Sequence, residues 1–306
     1  MLKIVARKLI QGLMMILIVS FLTFALLSAA GGDAFSSLRE NPQVSAETVE
    51  NLRRVYGLER PFAVRYASWL GNVLAGNLGE SFQFHLPVST LIWPRFLNTL
   101  LLGVVALVIA CGVALILGIL SARFRGRMLS GFIAGMILLT ASTPRMVLAL
   151  VALALSVQFS AVTINTATDS VTSIMLAAIA LAAPLISILL AQTHEGLGQA
   201  MREDFIQMAR AKGLGEWTVI FRHALRSALN PVLTIFGLSL GALLGGSVIV
   251  ETILNRPGIG ALMVTAVRSR DIPLVMGVVL VASAAVWLGN TVGEILQMVN
   301  DKRLRP

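Results

Sequence analysis

Apolar residues along this chain come in long unbroken runs, not in the alternation of a strand or the one-sided stripe of a soluble helix. Six runs, Leu9–Ala30, Phe96–Ala122, Met128–Gln158, Ser170–Thr193, Ser227–Val250 and Ile272–Gly293, each exceed the roughly 20 helical residues that cross a hydrocarbon layer about 30 Å thick. Five contain no Asp, Glu, Lys or Arg, and the third contains only Arg145. Backbone groups in lipid must be bonded within their own segment, so such runs predict spanning helices and not barrel strands. The first run follows Lys3, Arg7 and Lys8 and ends near Ala29-Ala30-Gly31, as a secretory signal does. Its apolar stretch is about twice the length of a cleaved signal core, so it is expected to remain as the first helix.

Two polar segments separate these runs. In residues 31–95, Ser45 is placed to cap a helix toward Tyr56, with Glu47 and Glu50 in its first turns where the helix dipole favours negative charge. Gly57 breaks that helix. After Pro61, Tyr66, Trp69, Leu70, Val73 and Leu74 recur at helical spacing and end at Gly76-Asn77. A helical cap on the membrane surface and a docking or gating element at an outer mouth both fit this pattern. In residues 194–226, Phe205, Met208 and Ala209 share one helical face, with Arg202, Arg210 and Lys212 available to solvent or a partner. Gly213 is expected to stop that helix, and Trp217, Ile220, Phe221 and Leu225 give a second helix its own apolar stripe. Such a pair has to bury its apolar surface against a partner or against lipid headgroups.

Composition sharpens the picture. Of the 306 residues 57% are hydrophobic and only 13% charged, against about 25% charged in soluble domains. Mean hydropathy is +0.85. A soluble globule and a disordered chain are both excluded, and the lone Cys111 excludes a disulfide scaffold. The net charge of +9 fits basic loops beside anionic lipid, with no nucleic-acid partner implied. Fourteen of the 24 Lys and Arg fall on one predicted side: the N-terminal tail, Arg123 to Arg127, the 194–226 loop, and the C-terminal tail. On the other side, six Arg of segment 31–95 are balanced by six acids, and Arg256, Arg268 and Arg270 follow the fifth span. Short-loop bias sets orientation, so both termini are expected to be cytoplasmic.

Arg145 is the sharpest single residue. An unpaired cation in mid-membrane costs about 2.5–3.5 kcal/mol even on the lenient insertion scale, so it should face a cavity or a partner. A substrate carboxylate or Glu251 could be that partner; snorkelling to the outer headgroups is the other reading. Glu251, beside Gly245 and Gly246, is a candidate lining or gating group, and equally an interfacial structural carboxylate. His85, His194 and His223 show no metal-ligand spacing, so neither a metal nor a catalytic site is expected. The methionines read as packing residues. An ion-coupled secondary transporter is the competing class; it would call for an intramembrane acid or a broken helix, and Pro144 and Pro184 keep it open.

The 194–226 loop resembles that of the membrane subunits of binding-protein-dependent ABC importers. Their general loop pattern is met only at Ala209, Gly213 and Leu225. The variant of the oligopeptide, dipeptide and nickel branch fits better, since Ala-Arg-Ala-Lys-Gly-Leu stands at Ala209 to Leu214 and Arg-His-Ala-Leu-Arg at Arg222 to Arg226. Further stretches resemble the same family in the same order: Tyr56 to Pro61, Gly76 to Ser81, Gly245 to Thr252, Pro257 to Gly260, Arg270 to Pro273, and Asp301 to Arg305. The start of the first helix and the long external segment point to the first of its two paired membrane subunits. Departures are Gly31-Gly32-Asp33-Ala34 for the usual Pro-Gly-Asp-Pro, Gln192 where an Arg is common, Arg145 for an apolar or aromatic residue, and Lys302 for a Pro.

The resemblance implies an all-α integral membrane protein with six spanning helices of the type I importer permease fold. Its parts would be 1–30 with the first helix, 31–95 as an external helical segment, and 96–306 as a five-helix core. It implies a multi-pass subunit of a bacterial inner membrane that imports peptides, glutathione or nickel chelates. The implied partners are a second permease subunit, two ATPase subunits, an external solute-binding protein and membrane lipid. Ala209, Arg210, Ala211, Lys212, Gly213, Leu214, Gly215 and Glu216 would be the ATPase-coupling loop. ATP and Mg would sit on the partner subunits; this chain carries no Gly-x-x-x-x-Gly-Lys-Ser/Thr loop, so no cofactor and no enzymatic role are expected of it.

Overall fold

The computed structural model describes residues 2–30, 45–55, 57–124, 126–158 and 171–300. They form helices α1 (Leu2–Ala29), α2 (Ala46–Val55), α3 (Phe62–Leu74), α4 (Val88–Arg123), α5 (Arg127–Ser142), α6 (Arg145–Gln158), α7 (Val171–Ala200), α8 (Asp204–Ala211) and α9 (Glu216–Thr218). A π-helical turn, Val219–Ala224, then leads into α10 (Leu225–Ile253), α11 (Ile259–Arg268) and α12 (Ile272–Asn300). The motif residues 31–34 and 301–305 lie outside the described residues. Among those described, α1, α4, α7 and α12 are each long and apolar enough to cross a membrane. α10 runs 29 residues through the expected fifth span. Many side chains on these helices stay exposed and apolar, among them Leu13, Ile18, Val108, Ile116 and Val292, as suits surfaces facing lipid tails.

The third expected span departs from expectation. Met128–Gln158 is not one helix: α5 and α6 meet at a break bent by 97°. Pro144 is the cause. It disfavours helical backbone in the residue before it, and Thr143 accordingly takes φ −85°, ψ 118°. Arg145 therefore begins α6 at a bend, where the sequence reading put it near the middle of a span.

The chain divides into two compact units. The first joins Met1–Asn98 to Pro257–Ala285. Ser45 caps α2 as expected, its Oγ accepting from Thr48 N at 3.1 Å. α3 lies on α1 through ring contacts of Phe21 and Phe24 with Phe62 and Tyr66, and the Ser20 and Tyr66 hydroxyls are 3.0 Å apart. α4 starts eight residues before the expected Phe96, because Val88, Leu91 and Ile92 are buried with Ile259, Leu262, Leu274 and Val278. Gly277 makes room for this: a Cβ there would lie 2.5 Å from Val88 Cγ1.

The second unit joins Thr99–Arg256 to Val286–Pro306. Its centre is α7, whose Ala177, Ala178, Leu181, Leu185, Leu189 and Leu190 are buried with Leu102, Ala106 and Ala110 of α4, Ile133 of α5, and Leu243 and Val250 of α10. Small residues let these helices approach closely. At Gly118 an added Cβ would stand 2.5 Å from Thr193 Cγ2.

Candidate functional site

The loop after α7 is built around Gly213. α8 ends at Ala211 with Lys212 as its C-cap, and Gly213 takes φ +76°. Gly213 N donates to Arg210 O at 2.9 Å and Leu214 N donates to Ala209 O at 3.3 Å. This pair of bonds is the Schellman arrangement, which needs a left-handed residue and so favours glycine. Arg210 then clamps the far side: Nε donates to Glu216 Oε1 at 2.8 Å and Nη2 to Oε2 at 3.2 Å. With both partners about one-third exposed, the pair is worth about 1 kcal/mol at most. Its effect is to fix how α9 leaves the turn.

The two faces of this loop differ in their surroundings. Ile206 and Ala209 are buried with Leu197, Val219, Ile220, Ala224 and Ala228, which anchors the turn to the ends of α7 and α10. Phe205, Met208, Leu214, Trp217 and Phe221 instead remain 39–61% exposed, and the rings of Trp217 and Phe221 stack at 5.8 Å. The stripe expected on the second helix is therefore split: Ile220 turns inward while Trp217 and Phe221 face out. Ala211, Lys212 and Gly215 are exposed alongside them.

Arg145 and Glu251 lie in the same unit. The Arg145 guanidinium rests on α10 at Gly246, where an added Cβ would be 2.8 Å from Nη1. Glu251 is 1% exposed, and its Oε1 accepts from Thr99 Oγ1 at 2.6 Å. Among the described residues no hydrogen bond or ion pair joins Arg145 to Glu251. Close by in sequence, Arg256 Nη1 donates to Ser173 Oγ at 2.9 Å, tying the end of α10 to the start of α7.

Residues 114–306 match the family described as binding-protein-dependent transport system inner membrane component. Residues 1–103 match the corresponding N-terminal family of the same transport-system membrane component. The chain belongs to this family of permeases. It is also similar along its whole length to two characterised in name: the oligopeptide transport system permease protein AppB of Bacillus subtilis, 34% identical over 318 residues with 98% of each chain covered, and the di/tripeptide transport system permease protein DppB of Pseudomonas aeruginosa, 33% identical over 341 residues with 100% of this chain and 99% of the relative covered. The all-helical permease is thus a multi-pass inner membrane component of the type I importer fold. The bend at Pro144 supplies the broken helix that an ion-coupled carrier would call for, but family membership decides the class.

One structural residue of the permease was visible in the sequence only as part of a motif. Asp271, 0% exposed, caps α12 through Leu274 N at 3.1 Å. Its other oxygen accepts from Ser81 Oγ at 2.5 Å and Gln83 N at 3.1 Å. Arg270 at φ +52° turns the chain into this cap. The signal that could have found it was Asp before Ile-Pro at a helix start; its partners, 190 and 188 positions away, carried none.

Proposed function

We propose that this permease forms one half of the pathway of an ATP-driven importer for peptides or related small solutes, including dipeptides, oligopeptides, glutathione and nickel chelates. A second permease subunit completes the pathway, two separate ATPase subunits bind ATP and Mg and perform the hydrolysis, and an external solute-binding protein delivers cargo. Both termini and the Gly213 loop face the cytoplasm, as the short-loop basic residues favour. The names of AppB and DppB support the peptide class.

The observation that carries the coupling role is the exposed apolar surface of Phe205, Met208, Leu214, Trp217 and Phe221 on a turn held rigid by Gly213 and by the Arg210–Glu216 clamp. A groove on an ATPase subunit covers these side chains, and closure of the ATPase pair moves the turn as one body. Residues Ala209 to Glu216 then act as a lever. Arg145 lines the pathway and attracts an anionic part of the cargo, while Glu251 holds the end of α10 against α4. Trp217→Ser with Phe221→Ser removes two stacked rings from the outward face and leaves the buried anchors intact. Co-purification of the ATPase subunits should fall at least tenfold with membrane insertion unchanged. Undiminished co-purification would remove the coupling assignment.

A further inference from the structure

A cavity of about 310 Å³ opens in the first unit, and three of the stretches that resemble the family meet on its wall. Gly57, Leu58 and Arg60 come from residues 56–61, Asn77 to Glu80 from Gly76–Ser81, and Ile272 and Pro273 from Arg270–Pro273. Local bonds set each part of the wall. Leu58 N donates to Arg53 O at 2.9 Å past the end of α2, and Asn77 N donates to Asn72 O at 2.8 Å past the end of α3. Gly79 takes φ +86°, and its N–H donates to Asn77 Oδ1 at 2.9 Å. A Cβ on Gly79 would lie 3.6 Å from Pro273 Cβ, so this loop passes close to the start of α12. The buried Asp271 holds it there through Ser81 and Gln83.

The lining carries both charges, and the protein leaves several of its polar groups unused. Trp69 lines the cavity, and its ring stacks on Tyr66 at 5.8 Å. Its buried Nε1–H has no hydrogen-bond partner among the described residues. An indole N–H can only donate, and a buried donor is normally met by an acceptor. Arg60 and Glu80 line the cavity from exposed positions, and among the described residues neither side chain makes an ion pair or a hydrogen bond. Arg65 lies over the Phe24 ring at 5.4 Å and adds a second cation to the lining. This set discriminates between ligands. A simple anion would satisfy Trp69 and Arg60 but meet the Glu80 carboxylate. A simple cation would leave the Trp69 N–H unpaired and meet two guanidiniums. A molecule with one carboxylate and one ammonium answers both. Pockets for drug-sized ligands run from about 300 to 1,000 Å³, so this one takes a small molecule.

We propose that this cavity binds a small zwitterion of the dipeptide class, with its carboxylate on Arg60 and the Trp69 indole N–H and its ammonium on Glu80. Phe24, Phe82 and Pro273 supply the apolar wall for its side chains. That such a ligand shares the class of the cargo rests on the importer reading above; the contacts themselves do not.

Calorimetric titration of the assembled permease complex in nanodiscs, without binding protein or nucleotide, tests this with three probes: alanylalanine, its N-acetyl form and its C-terminal amide. Saturable binding of alanylalanine is expected, with each blocked form about fivefold weaker, since each loses one exposed charge pair. Glu80→Gln should weaken alanylalanine about fivefold and leave the N-acetyl form, which has no ammonium, unchanged. Arg60→Gln should weaken alanylalanine about fivefold and leave the amide, which has no carboxylate, unchanged. Such matched losses mark direct contacts, because a variant that merely disturbs the fold weakens all three probes alike. Trp69→Phe keeps a ring and removes the donor, and should weaken alanylalanine and the N-acetyl form but not the amide. Absence of saturable alanylalanine binding, or binding that ignores Arg60→Gln and Glu80→Gln, would overturn the site. N-acetyl binding equal to that of alanylalanine, with the Arg60 response kept, would overturn the zwitterion in favour of a lone carboxylate such as an acidic side chain of a docking protein. The importer reading is judged separately, by peptide uptake in proteoliposomes with the binding protein and ATP, so either can fail while the other stands.

Discussion

Substitution of Gly213 isolates one physical term. At φ +76° an added Cβ would meet nothing within 4 Å, so no steric clash with the rest of the protein contributes. What remains is backbone strain, about 1–2 kcal/mol for a non-glycine residue held in the left-handed region, which lowers the population of the native turn by a factor of about 5–30. Relaxation would break the bonds from Gly213 N and Leu214 N and swing Leu214 and Trp217 away from the outward face. Asn tolerates the left-handed region best among the other residues, Ala less, and a β-branched side chain least. Peptide import per ATP hydrolysed in proteoliposomes should therefore fall in the order Gly, Asn, Ala, Val, with insertion and complex yield unchanged. Normal coupling with Gly213→Val, or an order that does not follow left-handed strain, would refute the role given to this turn.

Three further outcomes are expected. In a Cys111→Ala background, cysteine at Ser45 or Ala75, both exposed, should react with an impermeant thiol reagent from outside, and cysteine at Gly215 only from inside; reversed labelling would invert the topology. Arg145→Lys should reduce peptide uptake in part, since it keeps charge but loses the planar fork, and Arg145→Met should reduce it further at equal complex yield; normal uptake by the Met variant would end the pathway role. Asp271→Asn leaves one carbonyl oxygen and presents an amide to Gln83 N–H or Leu274 N–H, so it should cost about 1–3 kcal/mol; an unchanged thermal melting temperature would show that the buried cap contributes nothing.

The spanning helices could be read from the sequence because their cause is local. A run of apolar residues with no water to bond must bond its own backbone, whatever surrounds it. The stop at Gly213 and the cap at Ser45 could be read for the same reason: each is satisfied within a few residues. The break at Pro144 was also written locally, but the apolar run continues through it, and hydropathy does not register a change of direction. Facing was not legible. In a membrane the side of a helix that meets lipid is as apolar as the side that meets protein, so nothing in the pattern marked α7 as the buried centre or sent Ile220 inward and Trp217 outward. The same holds for Ser121 with His194 and Thr99 with Glu251, 73 and 152 positions apart, and for Arg145 against Gly246. These pairs exist because glycine and alanine let particular helices approach to particular distances, and only the packed structure determines which helices those are.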